Sequence, residues 1–402
     1  MIFGTWVYGA FLIVATVVFR VLPAKARPWW IALCGFGFYA YYSTTFLWLL
    51  AAEIILVFLL VRDARRHAWA YGVALALSLG ALVVFKYANL ASVTLGSAAS
   101  ALNAGRLPTF PQLVLPLAIS FFTFEFIHYI VDARAGRLPD HTPADFFAFM
   151  LFFPTMIAGP IKRFQRFQPQ VGTARASAQD VNDGMTRIVI GLAKKIVIAD
   201  TIAPLARPLF SAAGVASAGR QTLLIALLAF TLQIYMDFSG YSDIAIGSAR
   251  LFGIRVPENF SWPYVRTSIA QFWRHWHMSL TSWITDYVYI PLGGSRHGLA
   301  RTGLNSIAAL AISGLWHGAQ WHFLAWGLYH GLLLAGYRSY VVLVKDPLVA
   351  RVPALVDGTT GRLARVIGGV LGAVTTFALV TLGWGLFVMP VERFAEMLRR
   401  LL

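Results

Sequence analysis

The chain has 402 residues, of which 58% are hydrophobic and 12% charged, and its mean hydropathy is +0.67. That composition excludes a soluble globular domain and predicts an all-α, polytopic membrane protein. The 33 Lys and Arg against 17 Asp and Glu leave a formal net charge of +16. These basic residues fall in short loops between apolar runs, the positive-inside pattern that also attracts anionic lipid. No compact basic domain is present to hold nucleic acid. The single cysteine, Cys34, excludes an internal disulfide and a cysteine-rich metal site.

No charge precedes Arg20, and the first basic residues follow the first apolar run, the reverse of a cleavable signal. The first span is therefore Ile2 to Arg20, with the N-terminus outside. Further spans are expected at Trp29 to Tyr42, Phe46 to Val61, Ala68 to Lys86 and Gln112 to Val131, each long enough to enter a bilayer. Lys25 and Arg27, then Arg62, Arg65 and Arg66, then Arg134 and Arg137 mark the cytoplasmic side. Residues 42–45 and the loop 89–105 mark the outside.

The run Phe146 to Gly159 is apolar but short, is interrupted by Pro154 and ends on Gly159-Pro160. Basic residues flank it on both sides, with Arg134 and Arg137 before it and Lys162, Arg163 and Arg166 after it. It is therefore expected to enter and leave on the cytoplasmic side, which places a cavity nearby, because irregular backbone at membrane depth needs cover. Spans at Ile188 to Ala203 and Thr222 to Ile246 follow, with Lys194-Lys195 free to snorkel or to face an internal cavity. The second of these holds Asp237-Phe238-Ser239-Gly240-Tyr241-Ser242-Asp243. This is either a helix break with polar caps or the lining of an aqueous path, and Asp237 and Tyr241 stand one turn apart, close enough for a hydrogen bond.

Residues 255–274 read as an interfacial or irregular connection. From Gly303 to Tyr337 there is no Asp, Glu, Lys or Arg, so this stretch is expected to form two adjacent membrane helices, yet it carries His317, His322 and His330. A last span runs from Ile367 to Met389. In all, roughly ten or eleven membrane segments, re-entrant ones included, fill a single membrane domain with a core at 112–340, N-terminal helices at 1–111 and a C-terminal helix region at 341–402. No internal repeat is visible.

His317 lies between Gly314 and Gly318, small residues that let helices or a substrate approach closely. Its imidazole is either a general base, suited by its ordinary pKa to accept a proton, or a hydrogen-bonding partner of a neighbouring helix. His275 and His277 lie beside Trp273, Arg274 and Trp276. On a continuous helix they point about 200° apart, so only one can face a cavity, the other lying at headgroup level. His322 and His330 share no face with His317, which argues against zinc. No serine or cysteine has the surroundings of a covalent nucleophile.

The motifs, in order, are Ile119 to Phe124, Ala158-Gly159-Pro160-Ile161, Asp237 to Asp243, Pro257-Glu258-Asn259-Phe260, Phe272 to Leu280, Asp286 to Gly294 and Leu315-Trp316-His317-Gly318. Together they make the chain resemble the membrane-bound O-acyltransferase family, in particular its bacterial branch of alginate and peptidoglycan O-acetyltransferases and the D-alanyl transfer protein of teichoic acid. The family's near-invariant histidine falls on His317 and its second polar position on His277. The resemblance implies a ring of helices around a tunnel that joins the two membrane faces. Trp273, Arg274, Trp276, Asp237, Ser239, Tyr241, Asp286, Asn305, Trp316 and Gln320 are the residues expected to line it.

It also implies an enzyme of a bacterial inner membrane with acetyl-CoA as donor substrate, no permanently bound cofactor, and an exported polysaccharide and a periplasmic protein as partners. Tyr289 to Gly294 and Trp316 to Trp321 favour the polysaccharide acetyltransferases. Met150 to Thr155, Gly159 to Phe164 and the chain length lean toward D-alanyl transfer from an acidic acyl carrier protein. A transporter using intramembrane His and Asp as a proton relay is the alternative from outside enzymology.

Overall fold

A computed structural model describes residues 4–64, 66–102, 113–352 and 358–402. Arg65 and Gln112, and residues 103–105 of the expected outer loop, lie outside that set. The described residues are helical with irregular connections and contain no strand. They form two compact units, Met1–Lys194 with Ser239–Glu258, and Lys195–Phe238 with Asn259–Leu402.

The first unit contains α1 (Trp6–Val21), α2 (Arg27–Tyr42), α3 (Thr44–Ala64), α4 (Ala68–Ala101), α5 (Ile119–Arg134), α6 (Pro143–Met150), α7 (Phe153–Met156), α8 (Phe164–Thr173) and α9 (Ala178–Leu192). α4 runs well past Lys86, so residues 89–101, expected as an outer loop, are helical. Small residues such as Ala91, Ala98 and Ala99 do not stop a helix that has already been nucleated. The short apolar run appears as α6 and α7, of eight and four residues, almost wholly buried. At about 1.5 Å per residue neither can cross a hydrocarbon core.

α2 packs against the break between α6 and α7. A β-carbon on Gly35 would lie 1.7 Å from the carbonyl oxygen of Leu151, so only glycine permits the contact. Beneath them, Lys162 pairs with Glu125 at 2.5 Å and lies over the Phe149 ring, while His128 lies 3.1 Å from Asp132 and accepts the Phe164 N–H. These buried charges all have partners, as burial requires. Capping boxes Thr142/Asp145 and Ser177/Asp180 start α6 and α9. Hydrogen bonds from Ser177, and the neighbouring Arg250, hold the Asp180 carboxyl below its ordinary pKa.

The second unit contains α10 (Asp200–Ile202), α11 (Ala212–Ser217), most of α12 (Arg220–Leu251), α13 (Ile269–His275), α14 (Met278–Ile284), α15 (Gly298–His317), α16 (Trp321–Tyr340), α17 (Asp346–Arg351), α18 (Gly358–Val388) and α19 (Val391–Leu401). The expected helix pair is α15 and α16, joined by Gly318 to Gln320 and extending beyond the uncharged stretch to include Arg301 and Arg338. They cross closely: β-carbons on Gly314, Gly327 and Gly331 would meet Phe323 O at 2.2 Å, Leu310 O at 2.3 Å and Ile307 Cα at 2.7 Å.

α12 passes through Asp237 to Asp243 without interruption, which removes the reading of that motif as a helix break. Its charges are compensated instead of capping an end. Lys195 reaches Asp237 at 2.6 Å and Asp200 at 2.5 Å within the second unit, and Lys194 reaches Asp243 at 2.6 Å within the first. The two lysines therefore neither snorkel nor sit unpaired, and they lie in a π-helical stretch, Ala193–Ala199.

The protein is thus an all-α polytopic membrane protein. By length and composition α3, α4, α12 and α18 can each cross a membrane. Other expected spans form helices of 16 residues (α1, α2, α5) or 20 residues (α15, α16) whose polar positions are turned inward, such as Glu125, Asn305 and His330.

Candidate active site

His317 is the last residue of α15. The chain leaves it in extended conformation at Gly318, where a β-carbon would strike the Phe323 ring at 2.1 Å, so glycine is what lets the turn fold back on α16. The imidazole is partly exposed and walled by aromatic rings. Trp316 lies at 4.7 Å between ring centroids, Phe387 of α18 at 5.1 Å and Trp326 of α16 at 5.2 Å.

His277 comes to the same region by a different device. The sequence reading placed His275 and His277 on one continuous helix, but α13 ends at His275, Trp276 is extended, and His277 has φ 42, in the left-handed region. For a residue with a β-carbon that conformation costs about 1–2 kcal/mol, and such strain persists where the surroundings over-determine it. Here the fixing element is the Asn259 segment. The Ser261 N–H donates to His275 O at 3.1 Å, the Met278 N–H donates to Asn259 O at 2.9 Å, and the Ser279 hydroxyl donates to Asn259 Oδ1 at 2.6 Å.

The break separates the two histidines. His275 stays near the surface with Nδ1 on Gln271 O at 2.7 Å, and His277 is turned inward to 1% exposure between Phe238 and Trp316. It lies within electrostatic reach of His317, so a positive charge on either ring opposes one on the other.

The remaining expected site residues separate into groups. Trp273 and Trp276 are buried in the aromatic cluster around α13, with Trp276 stacked on Tyr264 and Phe272. Trp316 stands between the two histidines. Arg274 is exposed and lines a cavity of about 690 Å³, to which Trp273, Ser313, Arg338 and Lys345 also contribute. Asn305 is buried and donates from Nδ2 to Gly294 O at 2.8 Å, holding the turn before α15.

Gln320 is exposed with its side-chain amide 2.6 Å from His322 Nε2, while His322 Nδ1 meets Leu386 O at 3.0 Å; this pair ties the turn after His317 to α18. Asp286 lies on an exposed π-helical turn, Thr285–Tyr289, and Asp237 is engaged by Lys195. Ser239 and Tyr241 belong to the first unit, where Ser239 is buried and Tyr241 partly buried.

Asn259, Phe238, Trp326 and Phe387 also surround the histidines although the sequence assigns them no role there, and His330, which the sequence sets off the face of His317, lies beside Trp326. Asn259 lay in a recognisable motif, but its role depends on a contact with residues 278 and 279. The indole Nε1 of Trp273 and of Trp326, and both ring nitrogens of His277 and of His330, have no hydrogen-bond partner among the described residues. They are 6%, 1%, 1% and 0% exposed, respectively. Buried polar atoms left in this state are rare and concentrate where a ligand or water completes them. The arrangement supplies two imidazoles on either side of Trp316 and a cavity lined by Arg274, Arg338 and Lys345 together with Asp346.

The chain is similar to known proteins along most of its length. The sequence model of the membrane-bound O-acyltransferase family matches residues 33–356. A probable alginate O-acetylase of Azotobacter vinelandii is 36% identical over 80% of this chain and 65% of its own length. The peptidoglycan O-acetyltransferase of Helicobacter pylori is 32% identical over 82% of this chain and 69% of its own length. The teichoic acid D-alanyltransferase of Streptococcus thermophilus is 30% identical over 67% of this chain and 68% of its own length. The chain thus spans about two thirds of the length of these relatives. A family match over most of the sequence, with relatives of this similarity, establishes that the chain belongs to the membrane-bound O-acyltransferase family.

Proposed function

We propose that this protein is an O-acyltransferase of a bacterial inner membrane, N-terminus outside, that passes acetyl groups from cytoplasmic acetyl-CoA toward an exported polysaccharide with a periplasmic protein as partner. The observation that carries the reading is the placement of His317, a partly exposed imidazole at the end of α15. It faces the buried, unpartnered His277 across Trp316.

In this reading His317 accepts the proton of an acceptor hydroxyl as its oxygen attacks the thioester carbonyl. His277, neutral, donates one ring N–H to the oxygen on which negative charge develops. The C–S bond then breaks, and the thiolate takes the proton from His317. The products are the acetyl ester and free coenzyme A, and the base returns to its starting state. The cavity beside Trp273 and Ser313 has the volume of a small-molecule site, and Arg274, Arg338 and Lys345 give it a positive lining suited to the donor's phosphates.

D-alanyl transfer from an acidic carrier protein is the second reading, favoured by the teichoic acid relative, and for it the same basic residues are a docking surface. The greater identity of the acetyl-transferring relatives, and the larger share of this chain that they match, support the acetyl donor. Release of free thiol from acetyl-CoA by the purified protein, dependent on His317, tests the proposal. A protein that consumes no thioester but moves protons with a solute would instead be the transporter.

A further inference from the structure

Of the buried titratable residues of the second unit that the acyltransfer steps leave unused, Lys195 and His322 are held by polar partners and His330 is not. His330 is 0% exposed, and neither ring nitrogen has a hydrogen-bond partner among the described residues. It is enclosed by rings: Trp326 at 5.1 Å, Trp273 at 5.2 Å and Tyr329 at 5.2 Å between centroids. Nε2 faces α18, where a β-carbon on Gly383 would lie only 2.6 Å from it. A histidine kept for packing alone is expected to be replaced by an apolar ring or to hydrogen-bond a neighbouring helix, because an unsatisfied buried polar group is costly.

Two further observations point to a ligand. The indole N–H groups of the adjoining Trp273 and Trp326 are unpartnered as well. Trp273 lines the cavity of about 690 Å³, and Trp326 lies edge-on to His317, so these residues stand between the cavity and the reacting histidine. Along α16, His330 lies eight residues from Arg338 of the cavity lining, about 12 Å at a helical rise. His330 and Trp326 stand behind Trp273, which belongs to the cavity wall, so an arm running from phosphates at Arg338 and Lys345 to a thioester at His317 meets them by passing Trp273. The middle of that arm carries amides, which need both donors and an acceptor.

We propose that His330, with the indole N–H groups of Trp273 and Trp326, hydrogen-bonds an amide of the pantetheine arm of the acyl donor. The inference rests on the acyltransferase reading but not on the choice of donor, because coenzyme A and a phosphopantetheinylated carrier protein share this arm. His330 is thus a substrate-positioning residue that selects pantetheine thioesters over thioesters without amides.

The test is binding of acetyl-CoA, 4′-phosphopantetheine and adenosine 3′,5′-bisphosphate to the full chain in detergent. His330→Leu should weaken the first two about tenfold, the scale of one buried hydrogen bond, and the nucleotide less than about twofold. His330→Gln, which keeps a donor and an acceptor, should restore most of the loss. Equal weakening of all three probes, or no weakening of any, overturns the proposal. Should His330→Leu fail to accumulate, Trp273→Phe removes the N–H, keeps a ring and must give the same selective pattern. Wild type that releases thiol from acetyl-CoA while the variants bind every probe normally refutes the pantetheine contact alone. Wild type that neither binds a probe nor consumes a thioester refutes the acyltransferase reading as well. Phosphopantetheine bound without nucleotide assigns the source to a carrier protein.

Discussion

The Trp326 indole stands perpendicular to the His317 imidazole, with planes at 90° and ring centroids 5.2 Å apart. The same indole stacks on Trp384 of α18 at 5.9 Å. His317 is therefore held by packing from α16 and α18 as well as by its own helix, and rigid placement of this kind is what a general base requires.

His317→Ala should lower acyl transfer by about 10²- to 10⁴-fold, the range of a positioned general base, while the protein inserts and accumulates normally. His277→Ala should lower it less. Thiol release measured on equal amounts of folded protein checks both, and a His317→Ala protein retaining activity within about tenfold of wild type removes the base assignment.

The left-handed backbone at His277 makes a separate prediction. His277→Gly, free of the β-carbon penalty, should melt no lower than His277→Ala, although both lose the ring, because the strain is about 1–2 kcal/mol. Asn259→Ala removes the acceptor of the Ser279 hydroxyl's 2.6 Å hydrogen bond in a buried site and should cost about 1–3 kcal/mol together with part of the activity. Thermal unfolding in detergent followed by the activity assay measures both quantities; an Asn259→Ala protein of unchanged midpoint and rate counts against the clamp.

The α15–α16 crossing should be intolerant of added volume. Gly327→Ala forces a methyl group to within 2.3 Å of Leu310 O and should destabilise the protein by about 1–3 kcal/mol or displace His317. Gly336→Ala, on the same helix with open space around it, should be neutral. Equal behaviour of the two variants contradicts the close packing.

Topology can be read with single cysteines at Asp140 and Gln170 in a Cys34→Ser background. Because α6 and α7 are too short to cross, both positions should be labelled from the cytoplasmic face only. Labelling from opposite faces shows a full crossing and reverses the sidedness assigned to every later helix.

Much of this architecture was visible in the amino-acid pattern. The helix pair α15–α16 was legible because nothing charged lies between Arg301 and Arg338, and the short α6–α7 segment because Pro154 and flanking basic residues mark it. The break at Trp276-His277 was not legible, since neither residue is a glycine or proline and the conformation is imposed by Asn259, distant from His277 in sequence. The unbroken course of α12 was hidden for a similar reason: Asp237 and Asp243 resemble helix-ending charges until Lys195 and Lys194 are seen to pair with them. His330 stands out in the sequence as a histidine in an apolar segment, but that its nitrogens lack partners shows only in the packed structure.

The central claim is acyl transfer from acetyl-CoA through His317. Membranes carrying wild type or His317→Ala are incubated with radiolabelled acetyl-CoA and, separately, with a carrier protein bearing radiolabelled D-alanine, and label on the periplasmic acceptor is counted. Label from acetyl-CoA is expected with wild type and should be lost in His317→Ala. Label arriving only from the carrier protein, or arriving from acetyl-CoA at equal rates in both, would contradict the claim.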